Sequence, residues 1–280
     1  MKFFYSAILI LCLLWQSGCT NIEGGDPVGK TGQLTGSGCV VLNYHRIREP
    51  NIVTDSLAKL TGNAELNVYS VYTDEFKSQI RYLKEHHVQF VTADELKAYV
   101  TGKKQIAGKC AMITFDDIDE SVYKEAFPIL KEEQVPFTVF MIMGHIGEEY
   151  NQLQLASKDQ LLAMKKSGLA EIGLHTYDMH YLDKDGKPPF LKAGNLQRFQ
   201  QDTGKAAEAY EKLFGEKPRY YAYPYGYGTP DTDLFLLQQG SQLIFSLQSG
   251  IVKPGDPSFF IKRVLLDKDS WKAVRDWAGA

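Results

Sequence analysis

The stretch AMITFDDIDE, residues 111–120, is apolar apart from Thr114 and then breaks into two adjacent aspartates. A short apolar run closed so abruptly reads as a buried strand that reaches the rim of a sheet. Adjacent carboxylates repel each other, and burying them unpaired is costly. A compensating positive charge is expected beside Asp116 and Asp117, and a bound cation is the simplest one.

Similar runs recur on both sides. CVVLNYH (39–45), CAMITFDD (110–117), PFTVFMIM (136–143), EIGLH (171–175), YYAYP (220–224), LIFSL (243–247) and FFIKRVLL (259–266) read as strands. Between them lie helical patterns: 74–85, a short helix opened by the capping box TADE (92–95), 120–133, a helix opened by SKDQ (157–160) and ended at Gly168, 191–214, 231–239 and 271–277. Strands alternating with helices imply a parallel sheet with right-handed crossovers, and roughly seven such units favour a barrel over an open sheet. Residues 46–72 are polar and poorly periodic, and read as a functional or disordered loop. There is no GxGxxG and no internal repeat.

A length of 280 residues with a net charge of -3 suits one large α/β domain and gives no basic footprint for nucleic acid. The N-terminus MKFFYSAILILCLLWQSGC is a secretory signal pattern, its apolar run shorter than a membrane-spanning helix. Its QSGC ending is like a bacterial lipobox, with Gln16 where Leu is usual. The expected organisation is a signal and lipobox-like segment over 1–19, a Gly- and Thr-rich tether over 20–38 and a catalytic domain over 39–280. The chain is expected to be exported and lipid-anchored at Cys19 on the outer face of the membrane. Cys39 and Cys110 sit inside strand runs, where buried free thiols are the expectation rather than a disulfide.

In a parallel barrel the chemistry gathers at the C-terminal strand ends. Those ends read NYH, TFDD, MGH, GLHTYDMH and YPYG, so acids and histidines collect on one rim. Cys39 lies six residues before His45, and Cys110 six before Asp116. If the two strands are neighbours in register, His45 and Asp116 reach the rim at one height. His175 and His180 are five apart, which suits one ligand at a strand end and another in the loop turning back. Two imidazoles and one carboxylate form a common three-ligand site with a position open for water. The second carboxylate of the Asp pair can then take a proton.

TFDD, HTYDMH and AYPYG together resemble the motifs of the NodB-homology polysaccharide deacetylases, carbohydrate esterase family 4. NYHRIRE, FDDIDESVY, GHIGEE and the five-residue His spacing narrow the resemblance to the biofilm branch that acts on poly-β-1,6-N-acetylglucosamine. The resemblance spans most of 39–270 and implies a distorted (β/α)7-type barrel. It implies Asp116 as general base, Asp117, His175 and His180 as metal ligands, and the Tyr225 N–H as an oxyanion donor. The wider family has its catalytic acid His near the C-terminus, but no His follows His180 here; the biofilm branch uses a first-strand His, which matches His45. The family's Arg partner for the base could be Arg219, which lies just before YYAYPYG and could stand too far from the base, or Arg263 on the last strand. One divalent ion is implied, Zn first, with Co, Ni or Fe also suited. The implied partners are the polymer and the exopolysaccharide synthesis and export machinery, with the chain a monomer. The alternatives are a deacetylase of peptidoglycan or chitin-type β-1,4 chains, and a non-catalytic polysaccharide-binding surface protein. Around the site, His145 could touch sugar or be a plain loop residue, Asp178 could support a ligand His, and Tyr223, Tyr225 and Tyr227 could stack on sugar. Glu171 reads as a structural carboxylate.

Overall fold

The computed structural model describes residues 33–50 and 69–280, so the signal segment, most of the tether and loop residues 51–68 lie outside the described residues. The β-branched and aromatic runs form an eight-stranded sheet of Gly38–Tyr44 (β1), Gln89–Phe90 (β2), Lys109–Phe115 (β3), Phe137–Ile142 (β4), Ala170–Thr176 (β5), Tyr220–Ala222 (β6), Leu243–Phe245 (β7) and Val264–Leu265 (β8). The order is β7-β6-β5-β4-β3-β1-β8, with β2 also on β3, and every pairing is parallel. Phe245 bridges Ile261 in parallel just before the chain enters β8, so the two ends of the sheet meet and close a distorted barrel.

The helices are Thr73–Glu85 (α1), Ala93–Val100 (α2), Phe127–Glu132 (α3), Lys158–Lys166 (α4), Leu196–Phe214 (α5), Pro230–Gln238 (α6) and Lys268–Gly279 (α7). Thr92 and Ser157 cap α2 and α4 in the expected capping boxes. Alternation along each strand divides the core in two. Val40, Leu42 and Tyr44 pack with the helices, whereas Cys39, Val41, Cys110, Met112, Phe140, Tyr220, Ala222 and Phe245 fill the barrel, joined by Leu96, Tyr99 and Val100 of α2.

β1 and β3 pair residue for residue, with Cys39 opposite Cys110 and Tyr44 opposite Phe115. The Asp116 N–H donates to the Tyr44 carbonyl, so the ladder runs on to the rim and sets His45 and Asp116 at one height.

Four expectations are corrected. Cys39 and Cys110 are joined by a disulfide with Cα atoms 4.3 Å apart, because the register puts both side chains on the interior face. The expected helix over 191–214 begins only at Leu196, after a 3-10 turn at Pro189–Leu191. FFIKRVLL is not a continuous strand; it pairs at Ile261 and again at Val264–Leu265, with Arg263 turned inward between. The 120–133 segment opens with a π turn, Val122–Ala126, because Pro128 has no N–H to continue an α ladder. Within 46–72, Arg46–Arg48 pairs with Ser70–Tyr72.

The disulfide closes a loop of 71 residues. Loop-closure entropy for that length is about 4 kcal/mol. Replacing both cysteines by alanine is expected to lower unfolding free energy by about that much, read by denaturant titration under oxidising conditions. An unchanged midpoint would show that the thiols are not paired in the folded protein.

Candidate active site

The interior face of β1 and β3 turns polar toward its C-terminal end. Above the apolar layers stand Asn43, Thr114, Asp116 and Arg263, all fully or nearly fully buried. Arg263 holds Asp116 in a two-pronged pair: Nη1 donates to Oδ1 at 2.6 Å and Nη2 to Oδ2 at 2.8 Å. Asn43 braces both, donating to Asp116 Oδ2 and accepting from Arg263 Nη1, each at 3.2 Å. Arg263 Nε donates to the Ser246 carbonyl at 2.8 Å, and its guanidinium lies over the rings of Phe140 and Phe245. Burial opposes ionisation of Asp116, but the charge of Arg263 prevails and holds the carboxyl below its usual range. The second of the two possible arginines is thus the partner; Arg219 pairs instead with Asp94.

Asp117 follows on a strained turn. It and Ile118 both have φ of 64°, a region that a β-branched residue such as Ile118 rarely enters. The Ile118 N–H donates back to the Asp116 carbonyl at 2.7 Å, and the Ala156 N–H donates to Ile118 at 3.0 Å. The Ile118 side chain is fully buried in the core. This bracing aims the Asp117 carboxylate at two histidines, from a different side than Asp116. Strain of this kind, of order 1–3 kcal/mol per residue, marks functional turns.

His175, at the end of β5, and His180, in the loop beyond, point their Nε2 atoms at Asp117 Oδ1 from 3.5 and 3.1 Å. The Nδ1–H of His175 donates to the Ala222 carbonyl at 2.7 Å, which leaves Nε2 with its lone pair free. Asp117 Oδ1 is buried and lacks a hydrogen bond of proper geometry among the described residues. A tetrahedral ion with bonds of about 2.0–2.2 Å separates its ligands by about 3.3–3.5 Å. The 3.5 Å separation lies in that range and the 3.1 Å one just below it, and the donor set of two imidazoles and one carboxylate fits a divalent ion.

The charges of this group favour metal as well. Burial opposes ionisation of Asp117, but the charge of His180 holds its carboxyl well below the usual range. Burial pushes His175 down to about 4, so that ring is neutral at neutral pH. Burial also lowers His180, yet Asp117 outweighs it and the pKa is raised above 6.5. Metal binding therefore competes with protonation of the His180 ring. Metal affinity is expected to fall about tenfold per pH unit below the raised pKa of His180, and more steeply near pH 4 where His175 also titrates. Metal titrations at stepped pH check this; a flat affinity through pH 5–6 would remove His180 from the ligand set.

His45 lies at the rim after β1, its ring 4.8 Å from that of Tyr69. Its Nδ1 is buried with no hydrogen-bond partner among the described residues. Burial lowers its pKa, while the charges of Asp117 and Asp116 oppose that shift and place His45 in the same electrostatic field. Tyr225, after β6, has φ 60° and ψ 6° and stacks on His180 with ring centroids 4.9 Å apart. The next residue must be glycine: Gly226 has φ 86°, and a Cβ there would meet Leu247 at 2.3 Å.

All six sequence-predicted residues, His45, Asp116, Asp117, His175, His180 and Tyr225, thus lie on one rim. Neighbouring expectations fare less evenly. Asp178 binds His145 Nε2 at 2.7 Å rather than His175 or His180. The His145 ring packs on Tyr150, whose hydroxyl donates to the His180 carbonyl at 2.6 Å. Tyr223 is a core residue bonded to Thr232 and Asp233, not a sugar platform. Glu171 caps the start of α2 at the opposite end of the barrel. Asn43 was not anticipated; its only signal is a polar residue on the interior-facing parity of β1.

The chain is similar to known proteins along its length. Residues 103–244 match the family model described as polysaccharide deacetylase. Over its whole length the chain is 33% identical to the poly-beta-1,6-N-acetyl-D-glucosamine N-deacetylase of Staphylococcus aureus strain MRSA252, covering 98% of that protein. It is also 33% identical to the enzyme of that name from Staphylococcus epidermidis strain ATCC 35984, over 99% of this chain and 96% of the relative. The solved structure of IcaB from Ammonifex degensii superposes with a TM-score of 0.81 at 40% identity, covering 89% of this chain and all of that one.

Proposed function

We propose a function for a chain that belongs to the polysaccharide deacetylase family and is a hydrolase of amide bonds: metal-dependent N-deacetylation of exported poly-β-1,6-N-acetylglucosamine. The observation that carries the metal-dependent reading is the buried, unsatisfied Asp117 Oδ1 facing two imidazole Nε2 atoms. The polymer is proposed from the name borne by relatives that align along the whole chain. Export and anchoring at Cys19 rest on the N-terminal pattern alone.

Asp117, His175 and His180 would hold the ion. When bound, it supplies Lewis acidity toward the acetyl carbonyl and makes water a nucleophile at neutral pH. Asp116, kept ionised by Arg263, takes the proton of the attacking water. Its Oδ1 accepts one N–H and its Oδ2 two, so Oδ1 keeps an acceptor direction for that proton. The Tyr225 backbone N–H helps to hold the oxyanion. His45, as imidazolium, protonates the departing nitrogen; the charges of Asp117 and Asp116 favour that form against burial. Acetate leaves, and the sugar keeps an amine that is largely cationic at neutral pH.

His45→Ala is expected to lower turnover about 10²-fold or more while metal content stays at the wild-type level. Full turnover in that variant would assign the acid elsewhere. The function is tested by acetate release from β-1,6- and β-1,4-linked N-acetylglucosamine oligomers, with the protein stripped of metal and then restored. Metal-dependent release from the β-1,6 series supports the proposal. Release from β-1,4 chains alone would move the substrate to peptidoglycan or chitin. No release from either, with metal bound, would favour a polysaccharide-binding protein.

A further inference from the structure

We infer that Asp202, on α5, is the positioning residue that sets the metal-binding geometry of His175 and His180; this rests on the metal-dependent reading above. Asp202 is 8% exposed and faces the loop between the two histidines. Its carboxylate accepts three hydrogen bonds from consecutive residues: the Thr176 hydroxyl at 2.6 Å, the Tyr177 N–H at 2.8 Å and the Asp178 N–H at 2.8 Å. Thr176 Oγ1 in turn accepts the Met179 N–H at 2.9 Å. One side chain therefore satisfies, directly or through Thr176, each N–H from 177 to 179. The far end of the loop is pinned by Tyr150 on the His180 carbonyl, and Gly144 N–H binds the Tyr177 carbonyl.

A five-residue separation places two ligands on no common helical face and on no common strand face. The backbone between them must turn, and a turning buried backbone needs partners for its polar groups. Asp202 supplies them from outside the loop, so the position of α5 fixes where His180 stands relative to His175. Only a carboxylate serves: an amide at 202 would aim its NH2 at one of the N–H donors whichever way it is turned. Asp202 touches neither metal-ligating ring, so it acts through the backbone.

The test is metal affinity, measured for the full-length protein by competition with a chromophoric zinc chelator, beside thermal unfolding. Asp202→Asn is expected to weaken zinc binding about 10–100-fold, the cost typical of losing a residue that supports a ligand. The metal-induced rise in melting temperature should shrink in step, while KM for the oligomer at saturating zinc stays near wild type. Thr176→Val, which keeps the shape and removes the bridging hydroxyl, is expected to weaken zinc binding by about tenfold and serves if Asp202→Asn does not fold. Tyr210→Phe is the control: it removes a hydrogen bond from the same helix to the same strand, at the Ile172 carbonyl, and should leave zinc affinity unchanged. Wild-type zinc affinity in Asp202→Asn, with only a lower melting temperature, overturns the inference. Equal weakening in Tyr210→Phe also overturns it, since helix docking in general would then be the cause. If the wild-type protein itself binds no zinc, cobalt or nickel, the functional reading fails first.

Discussion

Asp116→Asn is expected to lower deacetylation about 10²–10⁴-fold while leaving metal affinity close to wild type. The two effects separate because the structure divides the aspartate pair. Asp116 faces Arg263 and Asn43, whereas Asp117 faces the histidines. An asparagine at 116 keeps the shape but cannot hold a proton taken from water. It also faces Arg263 with an amide N–H where an acceptor stood, and leaves a guanidinium of 0% exposure without its counter-charge. Removing one partner of a buried pair costs about 3–5 kcal/mol, so the variant should unfold at markedly lower denaturant. Turnover, zinc titration and urea unfolding on one preparation distinguish the outcomes. Lost turnover with metal retained identifies the base. Lost metal would mean that Asp116 and Asp117 share the ion, and turnover above a tenth of wild type would mean that another group takes the proton.

Much of this rim was readable because strand ends in a parallel barrel are fixed by short-range pattern. The apolar run before Asp116 and the one before His175 each predict where a side chain leaves the sheet, and the equal spacing from Cys39 and Cys110 predicts a common height. Pairing partners obey no such pattern. Arg263 lies 147 residues from Asp116 and sits in a segment that reads as plain strand. Its inward turn depends on barrel closure through Ile261, a tertiary event. The disulfide was underestimated for a related reason: two cysteines in apolar runs read as core until the register sets them opposite each other. Asp202 was hidden because a carboxylate in a helix is usually a solvated face, and only the packing of α5 against the loop makes it a buried acceptor.

Removing the Asp117 carboxylate should abolish both metal binding and turnover, and Asp117→Gly isolates that effect from backbone strain. The residue has φ 64°, which glycine adopts without cost, so the turn that carries it can persist. The strain at Ile118 is still held by its hydrogen bonds to Asp116 and Ala156. What is lost is the one anionic member of the ligand set, leaving two neutral imidazoles. The expected loss in zinc affinity exceeds the roughly 100-fold that follows from losing a supporting group alone. A second consequence concerns protons. In the metal-free protein it is chiefly Asp117 that raises His180 against the lowering effect of burial. Without that charge His180 should titrate below its wild-type value, and any residual zinc binding should compete less with a proton on that ring. Metal-free stability should fall, because the lowered Asp117 and raised His180 mark a favourable buried pair that the variant breaks. Three readouts therefore move in a fixed pattern: zinc affinity and turnover collapse, proton release on binding shrinks, and the metal-free protein unfolds at lower denaturant. A variant that kept wild-type zinc affinity would place the ion elsewhere.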